Sequence, residues 1–113
     1  MTAEQDRQRF LELITSAERL GRELEPLVDA EVQPVHRQGI AAALLQLART
    51  RERVLDGTFR SWPRDSGLGL TRPFYELWKW PPEIEGRVDA FADALEAVET
   101  FWGTHQDTLV GGS

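Results

Sequence analysis

Residues 84–102 read IEGRVDAFADALEAVETFW, and the apolar Ile84, Val88, Phe91, Leu95, Val98 and Trp102 recur at steps of four, three, four, three and four. Steps of this kind keep one face of a 3.6-residue helix in register, whereas a half-buried strand would alternate at every second residue. Pro82 pre-sets the first turn, and Glu83 and Glu85 complement the positive end of the helix dipole. The pattern predicts a helix over residues 83–102 stopped by Gly103, with Leu109 extending the stripe if the helix carries on through His105.

Working outward, a second stripe of the same kind lies near the start of the chain. Phe10, Ile14, Ala17, Gly21, Leu24 and Val28 share one face, with Leu13, Leu20 and Leu27 as a companion row. Thr2 and Gln5 have the spacing of a capping box, so the first helix is expected over residues 3–24. Pro26 lacks an amide hydrogen and clashes with the preceding turn, which predicts a kink or a short separate piece there.

Pro34 suits a first helical turn and precedes a broad, Ala-rich apolar set of Ile40, Ala41, Leu44, Leu45, Leu47, Ala48, Val54 and Leu55. Arg49, Arg51 and Arg53 fall where cations meet the negative helix end, and Gly57 supplies a stop, so the second helix is expected over residues 34–56. Three helices, each with one apolar face, must cover one another. The fold class is therefore all-α, a three-helix bundle, or four-helix if a short helix forms near residues 73–79.

The 113 residues fit one domain with a single core. With no cysteine, disulfides, thiolate metal sites and cysteine nucleophiles are excluded. No basic-then-apolar leader occupies residues 1–16 and no apolar run reaches membrane length, so the expectation is a soluble cytoplasmic protein without a membrane role. The net charge of −6 is unevenly distributed. Residues 1–48 carry five Arg against eight acids. Residues 49–80 carry six Arg and Lys79 against four acids, and residues 81–113 carry only Arg87 against seven. Overall acidity opposes the phosphate neutralisation that drives nucleic-acid binding, which makes nucleic acid an unfavoured partner.

The basic part is also the aromatic part. Residues 57–82 form a connection far longer than the usual helix-to-helix loop of about 2 to 8 residues, and their apolar content is too high for solvated disorder. Within it, PFYELWKWPP (residues 73–82) holds four of the ten aromatic residues of the chain. Thr71 followed by Arg72 and Pro73 fits a helix start, and Trp80, before a proline, should be extended. An ordered loop of this composition either closes the open side of the bundle, with Trp62, Trp78 and Trp102 in a secondary core, or leaves a patch for a partner. Trp, Tyr and Arg together are what interface hot spots are made of. The candidate binding residues are Arg60, Trp62, Arg64, Arg72, Phe74, Tyr75, Trp78 and Trp80.

Catalytic patterns are not found. His36 and His105 lie in neither Glu-x-x-His nor His-x-x-x-His spacing, the serines lack a nucleophile elbow, and Gly67 and Gly69 lack the strand that a phosphate-binding turn requires. No cofactor, no metal and no enzymatic role are expected. Glu85, Asp89, Asp93, Glu96 and Glu99 form an acidic ribbon along the third helix, ordinarily a solvated face. The expected function is association, with a second copy or another protein, through the Trp/Arg-rich loop and helix faces. The alternative is a helical bundle that grips a small ligand in an aromatic pocket with Arg60 or Arg72. Ranked lower are an acidic helix imitating nucleic acid and an aromatic loop binding single strands.

Overall fold

The computed structural model describes residues 3–59, 80–105 and 109. Among them the protein is all-α, with helices α1 (Ala3–Leu24), α2 (Pro34–Asp56) and α3 (Glu85–Thr104) and no strand. Glu25–Leu27 form a single 3-10 turn after α1. Pro26 sits inside that turn, and Val28 beyond it is extended, with φ −100° and ψ 117°. The proline therefore ends α1 and re-aims the chain, as its missing donor requires.

The α1 stripe is buried throughout, from Phe10 through Ile14, Ala17, Gly21 and Leu24 to Val28. Helix α1 is the hub, packing against both α2 and α3, while α2 and α3 share no comparable contact among the described residues. Both neighbours run antiparallel to it. Thr15 and Glu18 meet Arg51 of α2, while Phe10 stacks near Phe101 and Trp102 at the end of α3.

All three helices come together at Gly21. A methyl group there would lie 2.7 Å from both Leu44 Cδ2 and Phe91 Cε1. The absent side chain is what lets α2 and α3 approach α1 on this side.

Two boundaries differ from the sequence expectation. Helix α3 begins at Glu85, because residues 82–84 form a turn in which the Ile84 N–H bonds to the Pro81 carbonyl at 3.1 Å. It also runs through Gly103 to Thr104, so Gly103 is not the stop. Leu109 is buried and its N–H reaches the His105 carbonyl at 3.0 Å, continuing the α3 stripe. At the end of α2 the expectation holds. Gly57 takes φ +80°, and Thr58 and Phe59 both donate to the Arg53 carbonyl.

Helix α2 requires a larger correction. Its buried row is Ile40, Ala43, Leu47, Thr50 and Val54, while Ala41, Leu45 and Leu55, expected on the inner face, are exposed. Thr50 is tolerated inside because its hydroxyl donates to the Gln46 carbonyl at 2.8 Å.

Candidate functional site

Of the binding residues expected from sequence, Arg60, Trp62, Arg64, Arg72, Phe74, Tyr75 and Trp78 lie outside the described residues, as do Thr2 and the short helix expected near residues 73–79. Trp80 is described, half-buried and outside any helix. Its ring meets the His36 ring edge-on, with centroids 4.6 Å apart. His36 occupies the first turn of α2, so this contact fixes the lead-in to α3 against the start of α2. Phe59 and Trp102, from the same aromatic set, are core partners. Their rings meet at 4.7 Å, and both lie beside Phe10.

The surface of α2 is where apolar side chains face outward. Leu45 is 52% exposed and Leu55 66%, joined by Leu27 (47%), Val32 (73%) and Val35 (53%) on the approach to and first turn of the helix. At about 100° per residue, Ala41, Leu45, Ala48 and Leu55 form a second row about 120–140° around the axis from the buried one, and the exposed Glu52 falls within that row. Ala41 is exposed and Ala48 half-exposed, so this row is shallow at two positions and knobbed at two.

The exposed charges on this helix are confined to one end. The exposed Arg49, Glu52, Arg53 and Asp56 all follow Ala48, and the first turn carries no acid. Arg37 in the first half is half-buried and turned to the Val28 carbonyl, at 2.7 Å. Asp56 accepts hydrogen bonds from both the hydroxyl and the N–H of Thr58, and these hold its carboxyl below the ordinary 3.8, with help from Arg53.

Sequence reasoning missed a buried ion pair. Glu18 is almost wholly enclosed between α1 and α2, where its carboxylate pairs with Arg51, while exposed Arg22 stands 3.8 Å away on the same helix. Arg51 also donates to the Thr15 hydroxyl at 2.9 Å, and that hydroxyl in turn donates to the Leu11 carbonyl. The available signal was the step of four from Ile14 to Glu18, which carries the buried stripe onto a charged residue.

A groove of about 520 Å³ runs between α1 and α3, lined by Arg9 and Leu13 on one side and by Asp93, Glu96, Ala97, Thr100, Phe101, Thr104 and His105 on the other. Phe101 is sandwiched between Phe10 and His105, with ring centroids 6.0 and 4.0 Å away. His105 Nδ1 lies 3.1 Å from the Phe101 carbonyl, which can only accept, so this contact favours the tautomer protonated at Nδ1. Among the described residues no group of three or more His, Asp or Glu side chains is placed to hold a metal ion, and no helix is long and apolar enough to cross a membrane. No protein-family model, curated protein or solved structure matches the chain.

Proposed function

We propose that the protein works by association, and that the outward face of α2 is the surface on which a second copy of the chain docks. One observation carries this reading. The large apolar side chains exposed among the described residues all lie between Leu27 and Leu55, on α2 and the connection leading into it. They share one stretch of chain rather than one narrow face, since Val35 stands about 160° around the α2 axis from Leu55 with Leu45 between them, and the surface offered to a partner centres on Leu45.

The size of the surface sets the strength. A helix of 23 residues is about 34 Å long. One helical face of that length lies at or below the low end of the roughly 1,200–2,000 Å² that stable interfaces bury. The expected assembly is therefore a reversible dimer whose population depends on concentration. Light scattering over a dilution series should show the mass falling from dimer to monomer, and Leu45→Glu should remain helical yet monomeric throughout. A native protein that is monomeric at every concentration would sink this reading.

The α1–α3 groove favours a second reading, in which a small amphipathic cation lies on Leu13 and Phe101 with its charged group toward Asp93 and Glu96, Arg9 being paired with Glu12. Ligand-induced thermal stabilisation that Asp93→Asn with Glu96→Gln abolishes, in a protein that stays monomeric, would favour it over association.

A further inference from the structure

Resting on the groove reading rather than on association, we infer that the α1–α3 groove takes an arylalkyl cation in one orientation, its charged group at Asp93 and Glu96 and its ring at Phe101 and His105. The groove, of about 520 Å³, has an acidic end and an aromatic end. Asp93 and Glu96 are exposed and three residues apart on α3, so their side chains are neighbours. Ala97 follows as a shallow step in the wall, and Phe101 and His105 close the far end as a near-parallel stack, with ring planes 17° apart. Leu13 of α1 supplies apolar surface on the opposite side. Glu96 and Asp93 precede Phe101 by five and eight residues, which is about 7.5 and 12 Å along the helix axis. A molecule apolar except at one end, and of that length, reaches both ends of the groove.

Charge fixes the direction. Helix α3 runs antiparallel to α1, with Phe10 beside Phe101 and Gly21 beside Phe91, so Arg9 stands at the aromatic end and Leu13 nearer the acids. A cationic group is therefore repelled from the Phe101 end and drawn to the carboxylates. Residues 81–113 carry seven acids against Arg87 alone, which extends the same field along the helix. The Thr104 hydroxyl donates to the Thr100 carbonyl at 2.8 Å, so toward the groove it keeps acceptor capacity, which again suits a donor-bearing ligand. Among the described residues no third His, Asp or Glu joins the two carboxylates to make a metal site, which makes an organic cation the better match. The α1 wall is one turn long, from Arg9 to Leu13, about 6 Å, enough to seat a small molecule but not a partner helix.

The probe is 4-phenylbutylammonium, whose extended chain spans the interval. It is compared with uncharged 4-phenylbutanol, with anionic 4-phenylbutyrate and with benzylammonium, which is too short to reach both ends. Each is titrated into the isotope-labelled full chain and followed by NMR, with intermolecular NOEs to place the ring. The expected result is saturable shifts at Leu13, Ala97 and Phe101 with 4-phenylbutylammonium, at an affinity on the order of millimolar for so small a ligand. Its ring protons should show NOEs to Phe101 and His105. The other three probes should bind more weakly, and D93N combined with E96Q should weaken 4-phenylbutylammonium by about fivefold or more, circular dichroism confirming that the double variant is folded. Ring NOEs at the Asp93 end, or equal binding by benzylammonium, would overturn the orientation and the span while leaving the groove reading intact. Equal binding by 4-phenylbutyrate or by the double variant, or no groove shifts with any probe, would remove the groove reading and this inference with it.

Discussion

Gly21 and Phe91 are in such close apposition that a methyl group on the glycine would lie 2.7 Å from the ring. Alanine is intrinsically better than glycine in a helix by about 0.5–1 kcal/mol. Overpacking a filled site costs about 1–3 kcal/mol. Phe91 is fully buried and has nowhere to retreat, although the tip of Leu44 has some freedom. Gly21→Ala should therefore lower the urea midpoint by an amount equivalent to about 1–2 kcal/mol. An unchanged or raised midpoint would show that α3 can shift away from α1.

The Glu18–Arg51 pair should be more costly to break than to replace. Arg51→Met leaves the buried carboxylate with only the exposed Arg22, 3.8 Å away and screened by solvent, and should destabilise the protein by about 3 kcal/mol. Glu18→Met combined with Arg51→Met should recover most of that loss, because no uncompensated charge remains inside. Chemical denaturation of both single variants and the double variant measures the coupling, and strict additivity would refute it.

Asp56 offers a pH dependence of known sign. Its carboxyl is held below its ordinary value of 3.8 by the two bonds from Thr58, so the ionised form stabilises the fold. That contribution is fully present above pH 3.8 and is lost as the pH falls through the lowered folded-state value. Asp56→Asn should melt below the native protein at pH 7, and the two melting temperatures should converge in strong acid. A gap that persists unchanged to pH 2 would contradict this account.

Leu109 tests whether the α3 stripe extends beyond Thr104. It is 7% exposed, and Leu109→Ala should cost about 2 kcal/mol, at the low end for buried leucines. A loss below about 0.5 kcal/mol, the scale of ordinary surface changes, would mean that the contact is not maintained in solution.

The sequence was most legible where a helix has a single narrow apolar face. The α1 stripe from Phe10 to Val28 and the α3 stripe from Ile84 to Val98 are buried residue for residue. Trp102 is half-buried. Helix α2 was harder to read because its apolar and alanine positions cover most of the circumference. Alanine at 41, 42, 43 and 48 is compatible with either environment, and only Ala43 is buried. Periodicity therefore located the helix without deciding which side faced inward, and so concealed the outer row. The ion pair was hidden for a different reason. Arg51 in the last turns of a helix has a sufficient local explanation in the dipole, and only the tertiary approach of Glu18 supersedes it. The aromatic residues divided similarly. Phe59 and Trp102 proved to be core partners of Phe10, a role that composition alone does not distinguish from an exposed anchor.

The central position of α1 has a kinetic consequence. Its contact with α2 closes over a connection of only nine residues, from Glu25 to Gln33, whereas its contact with α3 must await chain that lies some 60 residues farther on. Local contacts form sooner because less loop entropy opposes them. During synthesis the α1–α2 hairpin emerges first, with Phe10 and Gly21 of α1 still lacking their cover from α3. The nascent chain passes through an interval in which half of its nucleus is sticky and unfinished, and docking of the last helix is the step that ends that exposure.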